Sequence, residues 1–247
     1  MEYNFNVEKT TKELIKWTKE WFDKNGKDCN AVIGISGGKD STIVAKICVE
    51  ALGKDRVIGV LMPNHIQSDI HDSHRVCEYL GIKNYTVDIG VAVDALLNNI
   101  HLRTDIDEFT SQTLTNLSPR IRMSTLYAIS QSLNGRVINT SNYSERYIGW
   151  GTLYGDCAGD VGLLANLTAG EVVQIGDYLG IPYDLVHKVP ADGLTDKSDE
   201  MNLGFSYQTL DKYIRTGVCE DEKVKENIDR RHRINEFKRN PMVTFKP

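Results

Sequence analysis

The chain reads as an α/β fold, a parallel doubly wound sheet flanked by helices, in a single domain over residues 1–247. Three observations lead there. Residues 31–52, AVIGISGGKDSTIVAKICVEAL, pass from a β-branched apolar run through two adjacent glycines into apolar positions at helical spacing, which is strand, loop, helix. Val57 to Met62 is a second apolar run, too short for a free helix and rich in β-branched residues, so a buried strand follows that helix. Strand, helix, strand implies a right-handed crossover between parallel neighbours. No Pro- or Ser-rich stretch divides the chain, which is long enough to bury a sizeable core.

The loop between the first strand and its helix carries the strongest chemical signal. Paired glycines allow positive φ and close approach of a ligand, and the helix that follows aims free N–H groups and partial positive charge at it. A phosphate is the natural occupant. The run is not a Walker A loop, because three residues rather than four separate Gly34 from Gly38 and Asp40 rather than Ser or Thr follows Lys39. It also lacks the third glycine of the dinucleotide fingerprint. Ser36-Gly37-Gly38-Lys39-Asp40-Ser41 after a buried strand resembles the pyrophosphate loop of the PP-loop ATPases. That resemblance implies a Rossmann-like sheet of the PP-loop type and an enzyme that cuts ATP between its α and β phosphates to adenylate a substrate.

The remaining elements follow in order. Val7 to Lys24 shows one apolar stripe (Leu14, Ile15, Trp17, Trp21, Phe22) and stops at Asn25-Gly26, a packing helix. The loop at 63–69 lies at the carboxyl end of the second strand, where open α/β sheets bind ligands. The acids and histidines at Asp69, His71, Asp72 and His74 read as the first turn of a helix with Ser68 as N-cap rather than as a metal cluster. Tyr85 to Ile89 is the third strand and Val91 to Ile100 the next helix. Asp105 to Leu133 is mainly helical, with Pro119 restarting the helix near a first turn. Arg120 and Arg122 stand two apart on it and so face different sides.

Arg136 to Thr140 is the fourth strand, and Ser141 to Glu145 is a polar loop off its carboxyl end. There Glu145 and Asp40 suit a hard Mg²⁺ ion, although spacing alone does not decide it. Gly149 to Asp160 has four glycines in twelve positions and reads as a shaped loop with two acids. Helices follow at Thr168 to Leu179, Tyr207 to Ile214 and Glu220 to Arg239, with a polar, loop-like stretch at 192–202. The acidic start and basic end of the last helix complement its dipole.

Composition narrows the classes. A formal charge of −5 gives no general attraction to nucleic acid, and no apolar run approaches the length of a membrane span. The polar N-terminus shows no secretory signal, and five scattered cysteines without a C-x-x-C pair argue against disulfide or zinc scaffolds. A reduced, cytoplasmic setting fits.

Over nearly its whole length the chain resembles the NAD⁺ synthetases, specifically the short ammonia-dependent form. The resemblance rests on GISGGKDS at 34–41, Pro-Arg-Ile-Arg-Met at 119–123, Thr-Ser-Asn-x-Ser-Glu at 140–145, and Tyr-Gly-Asp at 154–156 with Asp160. Asp-Glu-x-x-Leu-Gly at 199–204 and Phe-Lys-Arg-x-Pro at 237–241 complete it. It implies that Gly34, Ile35, Ser36, Gly37, Gly38, Lys39, Asp40 and Ser41 hold ATP, together with Gln67 and Thr140. It further implies that Asp40 and Glu145 bind Mg²⁺ and carry catalysis, and that Arg120 or Arg122, Asp160 and Lys238 seat deamido-NAD⁺. A homodimer sharing the dinucleotide site is part of the same implication. Leu153, Ala169, Ala191 and Phe237 depart from residues that many members carry, and they fall on substrate or ATP contacts rather than on the glycine loop.

The implied reaction is an adenylating amide synthesis. The nicotinate carboxylate of deamido-NAD⁺ attacks the α phosphate of ATP, pyrophosphate leaves, and ammonia displaces AMP. No cysteine sits in a recognisable glutaminase motif, so ammonia rather than glutamine is the expected donor. A tRNA-modifying PP-loop enzyme is the alternative, disfavoured by the acidic balance. A nucleotide-binding module without catalysis is disfavoured because Asp40 and Glu145 are both present.

Overall fold

The computed structural model describes residues 3–188, 199–240, 242 and 244–245. Its centre is an all-parallel sheet of five strands in the order β3-β2-β1-β4-β5. These are β1 (Asn30–Gly34), β2 (Val57–Leu61), β3 (Lys83–Thr86), β4 (Gly135–Asn139) and β5 (Val161–Gly162). Chain order reverses between β1 and β4, so the carboxyl ends of these two neighbours open the crevice where such sheets bind ligands.

Strand alternation builds two cores. Ala31, Ile33, Val57 and Leu61 point to one face, and Val32, Ile58, Val60 and Val137 to the other. On the first face lie α1 (Val7–Asn25), α2 (Lys39–Leu52), α3 (Ile70–Leu80), α7 (Ala169–Tyr178) and α8 (Tyr183–Val186). On the second lie α4 (Gly90–Arg103) and α5 (Ser111–Ser132), through Val93, Met123 and Leu126. Fully buried side chains such as Ile33, Ile43, Ile47 and Leu61 each contribute about 1.5–3 kcal/mol relative to exposure. A third cluster joins Ile148 to Leu203, Phe205, Tyr207, Leu210 and Ile228. It assembles α6 (Tyr143–Ile148), α9 (Asp199–Leu203), α10 (Tyr207–Thr216) and α11 (Glu222–Ile234) beside the sheet's open end.

The doubly wound reading holds, and several boundaries differ. The third strand is Lys83–Thr86 rather than 85–89: it is an edge strand paired only with β2, so its start is polar and exposed, while Ile89 turns into the second core. The helix after the second strand has Asp69 rather than Ser68 at its N-cap position, and the Asp69 carboxylate makes no capping hydrogen bond. The helix expected from Asp105 begins at Ser111, where Thr110 accepts a hydrogen bond from Thr113 N at 3.1 Å. Pro119 does not restart it; the helix runs continuously through a buried Pro119, whose ring packs against Gly155.

Residues 143–145 are the first turn of α6 rather than a loop, because Asn142 and Glu145 form a reciprocal capping box. The final helix is broken at Asn235, after which α12 (Glu236–Arg239) follows. In the polar stretch 192–202, residues 192–198 lie outside the described residues, and Asp199 to Asn202 are helical. The two-residue β5 was not anticipated, being too short to show any periodicity. Among the described residues no helix is long and apolar enough to cross a membrane.

Candidate active site

The glycine loop leaves β1 at its carboxyl end and is braced from inside. Ser41 Oγ lies 3.3 Å from both Ser36 N and Ser36 Oγ, and Gly38 N donates to Ser36 Oγ at 3.2 Å. Thr42 Oγ1 donates to Gly38 O at 2.8 Å, fixing the N-cap of α2. Gly37 has φ +79°, and a Cβ there would lie 2.8 Å from Asp72 Cβ and 3.0 Å from Ser73 N, so α3 packs directly on the loop. Glycine is required at this position for both reasons.

Asp40 sits in the first turn of α2 and faces the start of α6 across the β1/β4 crevice. Asn142 Nδ2 donates to Asp40 Oδ1 at 3.3 Å, and Lys39 Nζ lies 2.6 Å from Asp40 Oδ2. Asn142 Oδ1 accepts from Glu145 N at 3.1 Å, while Glu145 Oε2 accepts from Asn142 N at 3.2 Å. One asparagine therefore positions both carboxylates.

Loss of water and then the Asp40 charge push the Glu145 carboxyl up to about 8, against the opposing pull of Lys39. Burial works to discharge Lys39, but the charges of Asp40 and Glu145 outweigh it and hold the ammonium above its ordinary range. Tyr207 completes the wall: its ring centroid is 5.9 Å from Lys39 Nζ, and its hydroxyl donates to Asp199 Oδ2 at 3.2 Å. Burial, then Glu145, Asp199 and Asp40, raise the phenol. Two converging carboxylates that repel one another are a donor set for a hard divalent cation. A cavity of about 910 Å³ adjoins, with Lys39, Ala169, Lys188, Tyr207, Asp211 and Arg215 in its wall.

The other residues singled out from sequence lie around this centre in different ways. Thr140 follows β4 directly. Gln67 spends its amide on Asp69 Oδ1 at 2.9 Å. Arg122 is turned beneath β2, its Nε donating to Met62 O at 3.0 Å, and burial lowers its pKa. Arg120 Nε donates to Leu153 O at 3.2 Å. Asp160 accepts from Val137 N at 2.8 Å and from the Tyr127 hydroxyl at 3.1 Å. Lys238 Nζ donates to Gly149 O at 2.9 Å and Gly151 O at 2.8 Å.

Arg120 and Lys238 thus hold the glycine-rich loop 149–160 by its carbonyls and Asp160 ties its last residue to β4 and α5, while Asn139 Nδ2 holds Asp156 O at 2.7 Å and Ala158 O at 2.8 Å. Gly149 has φ +67°, and a Cβ there would meet Asn235 Cβ at 2.2 Å, so the C-terminal helices close directly over the loop. Asn142 and Tyr207 were not singled out from sequence. For Asn142 a signal existed, since Asn-x-x-Glu is a capping-box pattern; Tyr207 is brought in only by tertiary packing.

The NAD synthase family profile matches residues 10–244. The chain belongs to that family. An NH(3)-dependent NAD(+) synthetase from Methanococcus aeolicus is 39% identical over 227 residues, covering 90% of this chain and 87% of the relative. Among solved structures, an NMN synthetase from Francisella tularensis matches with a TM-score of 0.88 at 31% identity, covering 98% and 99% of the two chains. An NH3-dependent NAD synthetase from Campylobacter jejuni matches with a TM-score of 0.79 at 29% identity, covering 98% and 100%. Family membership makes the β1/β4 crevice the centre of interest. Of the four departures noted in sequence, Ala169 is buried at the start of α7 in the cavity wall, Leu153 sits on the glycine-rich loop, and Phe237 is exposed. Ala191 lies outside the described residues.

Proposed function

We propose that this NAD synthase family member is an ammonia-dependent NAD⁺ synthetase, a carboxylate–ammonia ligase driven by ATP. The observation that carries the reading is the convergence of Asp40 and Glu145 on one asparagine at the mouth of a braced glycine loop. The loop and the N-terminus of α2 receive the ATP phosphates, with Gln67 and Thr140 at the neighbouring strand ends. Asp40 and Glu145 are the residues that would hold Mg²⁺, which when bound spreads positive charge over the phosphate oxygens. Burial first and then the Asp40 charge raise the Glu145 carboxyl, and a divalent cation beside the two would favour its charged form.

The acceptor carboxylate attacks the α phosphate and pyrophosphate departs; ammonia then attacks the acyl carbon and AMP leaves. The chain's own part is to align the carboxylate with the phosphorus and exclude water. The loop 149–160, fixed by Arg120, Asp160 and Lys238, forms the acceptor side, and Arg122 shapes its floor. A homodimer is supported by apolar side chains left exposed on α4 and α5, among them Val91, Leu102 and Leu114. All five cysteines are free, which suits a reducing cytoplasm. The test is to supply ATP, Mg²⁺, deamido-NAD⁺ and ammonium and to measure AMP, pyrophosphate and NAD⁺ in equal amounts. ADP and phosphate in their place would overturn the reaction class.

A second reading changes only the acceptor. The likeness to the Francisella NMN synthetase at a TM-score of 0.88 supports a mononucleotide acid, which is one AMP unit shorter. Comparing kcat/KM for nicotinate mononucleotide and deamido-NAD⁺ under one set of conditions decides between the two.

A further inference from the structure

Lys39 stands where the ATP-cleaving machinery has to change its charge. Its ammonium touches Asp40 Oδ2 at 2.6 Å, and the side chains are only 7% and 19% exposed, so the pair is shielded from solvent. The same ammonium is within electrostatic reach of Glu145 and faces the Tyr207 ring. A divalent cation held by Asp40 and Glu145 would share a carboxylate with this ammonium, and two positive centres on one carboxylate repel each other. The repulsion sets the ammonium and the cation in competition for Asp40.

Lys39 also has the longest flexible side chain of the cluster. It lies in the wall of the 910 Å³ cavity beside the glycine loop, and its flexible stem carries three donors. The other lysines and the arginine of that wall are engaged elsewhere. Lys188 binds Asp69 and Asp72 at 2.8 and 2.7 Å, Lys212 binds Glu220 at 2.7 Å, and Arg215 binds Glu171 at 2.5 Å. Ala169 in the same wall brings no charge. Lys39 is the wall cation whose partner would be taken over by the incoming metal.

We propose that Lys39 is an exchangeable counter-ion, neutralising Asp40 until a divalent cation takes that carboxylate and then turning into the cavity to meet the departing pyrophosphate. The inference rests on the ATP-cleavage reading above. As the acceptor oxygen bonds to the α phosphorus, the bond from that phosphorus to the bridging oxygen breaks and its electron pair leaves on pyrophosphate. Lys39 donates N–H hydrogen bonds to that charge and keeps its proton throughout.

The test has two independent readouts. Binding of Mn²⁺ to the nucleotide-free protein is followed by electron paramagnetic resonance in wild type, Lys39→Gln and Lys39→Arg. Removing the competing charge should tighten Mn²⁺ at least tenfold in Lys39→Gln and leave Lys39→Arg near wild type. A Glu145→Gln change in the Lys39→Gln background should abolish the gain, which locates the ion. Release of pyrophosphate at saturating Mg²⁺ and ATP should fall at least thirtyfold in Lys39→Gln and recover in part in Lys39→Arg. Equal Mn²⁺ affinity in wild type and Lys39→Gln, with the ion lost on Glu145→Gln, overturns the exchange while leaving the metal site standing. No Mn²⁺ bound by either protein overturns the metal-site reading and the exchange with it. In the wild-type protein, the ¹H–¹⁵N signal of the Lys39 ammonium should shift on adding Mg²⁺ with α,β-methylene-ATP, and an unmoved signal under saturation counts equally against the proposal.

Discussion

Asn142 Nδ2 reaches Asp40 Oδ1 at 3.3 Å across 102 positions of sequence, and the same side chain caps the helix that carries Glu145. The two roles separate by substitution. Asn142→Ala removes both the cap and the bridge, and loss of the cap alone costs about 1 kcal/mol. Asn142→Ser restores a capping oxygen without the amide donor. Denaturant unfolding should therefore show Asn142→Ala destabilised and Asn142→Ser near wild type, while AMP release falls in both. Full activity in Asn142→Ser would show that the bridge to Asp40 is incidental.

Asp40→Asn and Glu145→Gln should each lower AMP release by roughly a hundredfold or more, the scale seen when a stabiliser of developing charge is removed. Both should fold, because neither side chain packs in the apolar clusters. Circular dichroism and unfolding midpoints check the second point. Near-wild-type turnover at limiting Mg²⁺ in either variant removes the two-carboxylate site.

The glycine loop, α2 and the parallel sheet were legible because each rests on local pattern: a β-branched run, paired glycines, then helical spacing. Glu145 is legible in the sequence as a carboxylate just past the fourth strand, but not as part of a helix. A helix of six residues completes fewer than two turns, too few for a helical period to show, so the stretch reads as a polar loop. Pro119 misled for a related reason. Its missing N–H is a local cost that burial against the glycine-rich loop offsets, and no local signal shows that loop arriving. Tyr207 was invisible because it joins the site through the third apolar cluster, a purely tertiary event.

Gly37→Ala should impair the site more than its size suggests. The left-handed φ of +79° is strained for alanine, and the new methyl would meet Asp72 Cβ at 2.8 Å and the Ser73 backbone. Strain of this kind costs about 1–3 kcal/mol. Lower stability together with weaker ATP binding is expected, measured by thermal unfolding with and without ATP. An alanine variant with unchanged ATP protection would mean that the loop backbone does not contact the nucleotide.

Glu171 and Arg215 tie α7 to α10 beside the cavity, with Arg215 Nε and Nη2 at 2.8 and 2.5 Å from the two carboxylate oxygens. Burial works to raise the Glu171 carboxyl, but the Arg215, Tyr3 and Thr168 hydrogen bonds outweigh it and hold it below its ordinary range. A depressed folded-state pKa stabilises fully above the unfolded value of about 4.3, and that stability is lost as pH falls through the folded value. Glu171→Gln should accordingly flatten the acid limb of the stability–pH curve below about pH 4. Arg215→Met, which leaves a buried carboxylate unpaired, should cost about 3–5 kcal/mol at neutral pH. Urea unfolding from pH 3 to 7 tests both, and an unchanged acid slope in Glu171→Gln would assign the limb to other carboxylates.

Glutamine should not replace ammonium as the nitrogen donor. Amide hydrolysis by cysteine requires a thiolate with a positioned base, and the thiols of this chain are unsuited to that. Cys29, Cys48 and Cys77 are buried, and burial pushes the Cys48 thiol up to about 12 and that of Cys77 up to about 11. Cys219 lies outside the site, its thiol donating to Asp221 O at 3.4 Å. Cys157 is the one beside Glu145 and Lys238, and burial, then the Asp156 charge, push it up to about 12 despite the nearby Lys238. At neutral pH it is a protonated thiol in a packed loop, shaped to fill space beneath Gly151 rather than to attack an amide. NAD⁺ formation with ammonium should survive Cys157→Ala, apart from packing losses. Formation with glutamine stripped of contaminating ammonia should stay at background in both proteins. A glutamine-supported rate in wild type that vanishes in Cys157→Ala would reveal a hydrolase site that the thiol's surroundings argue against.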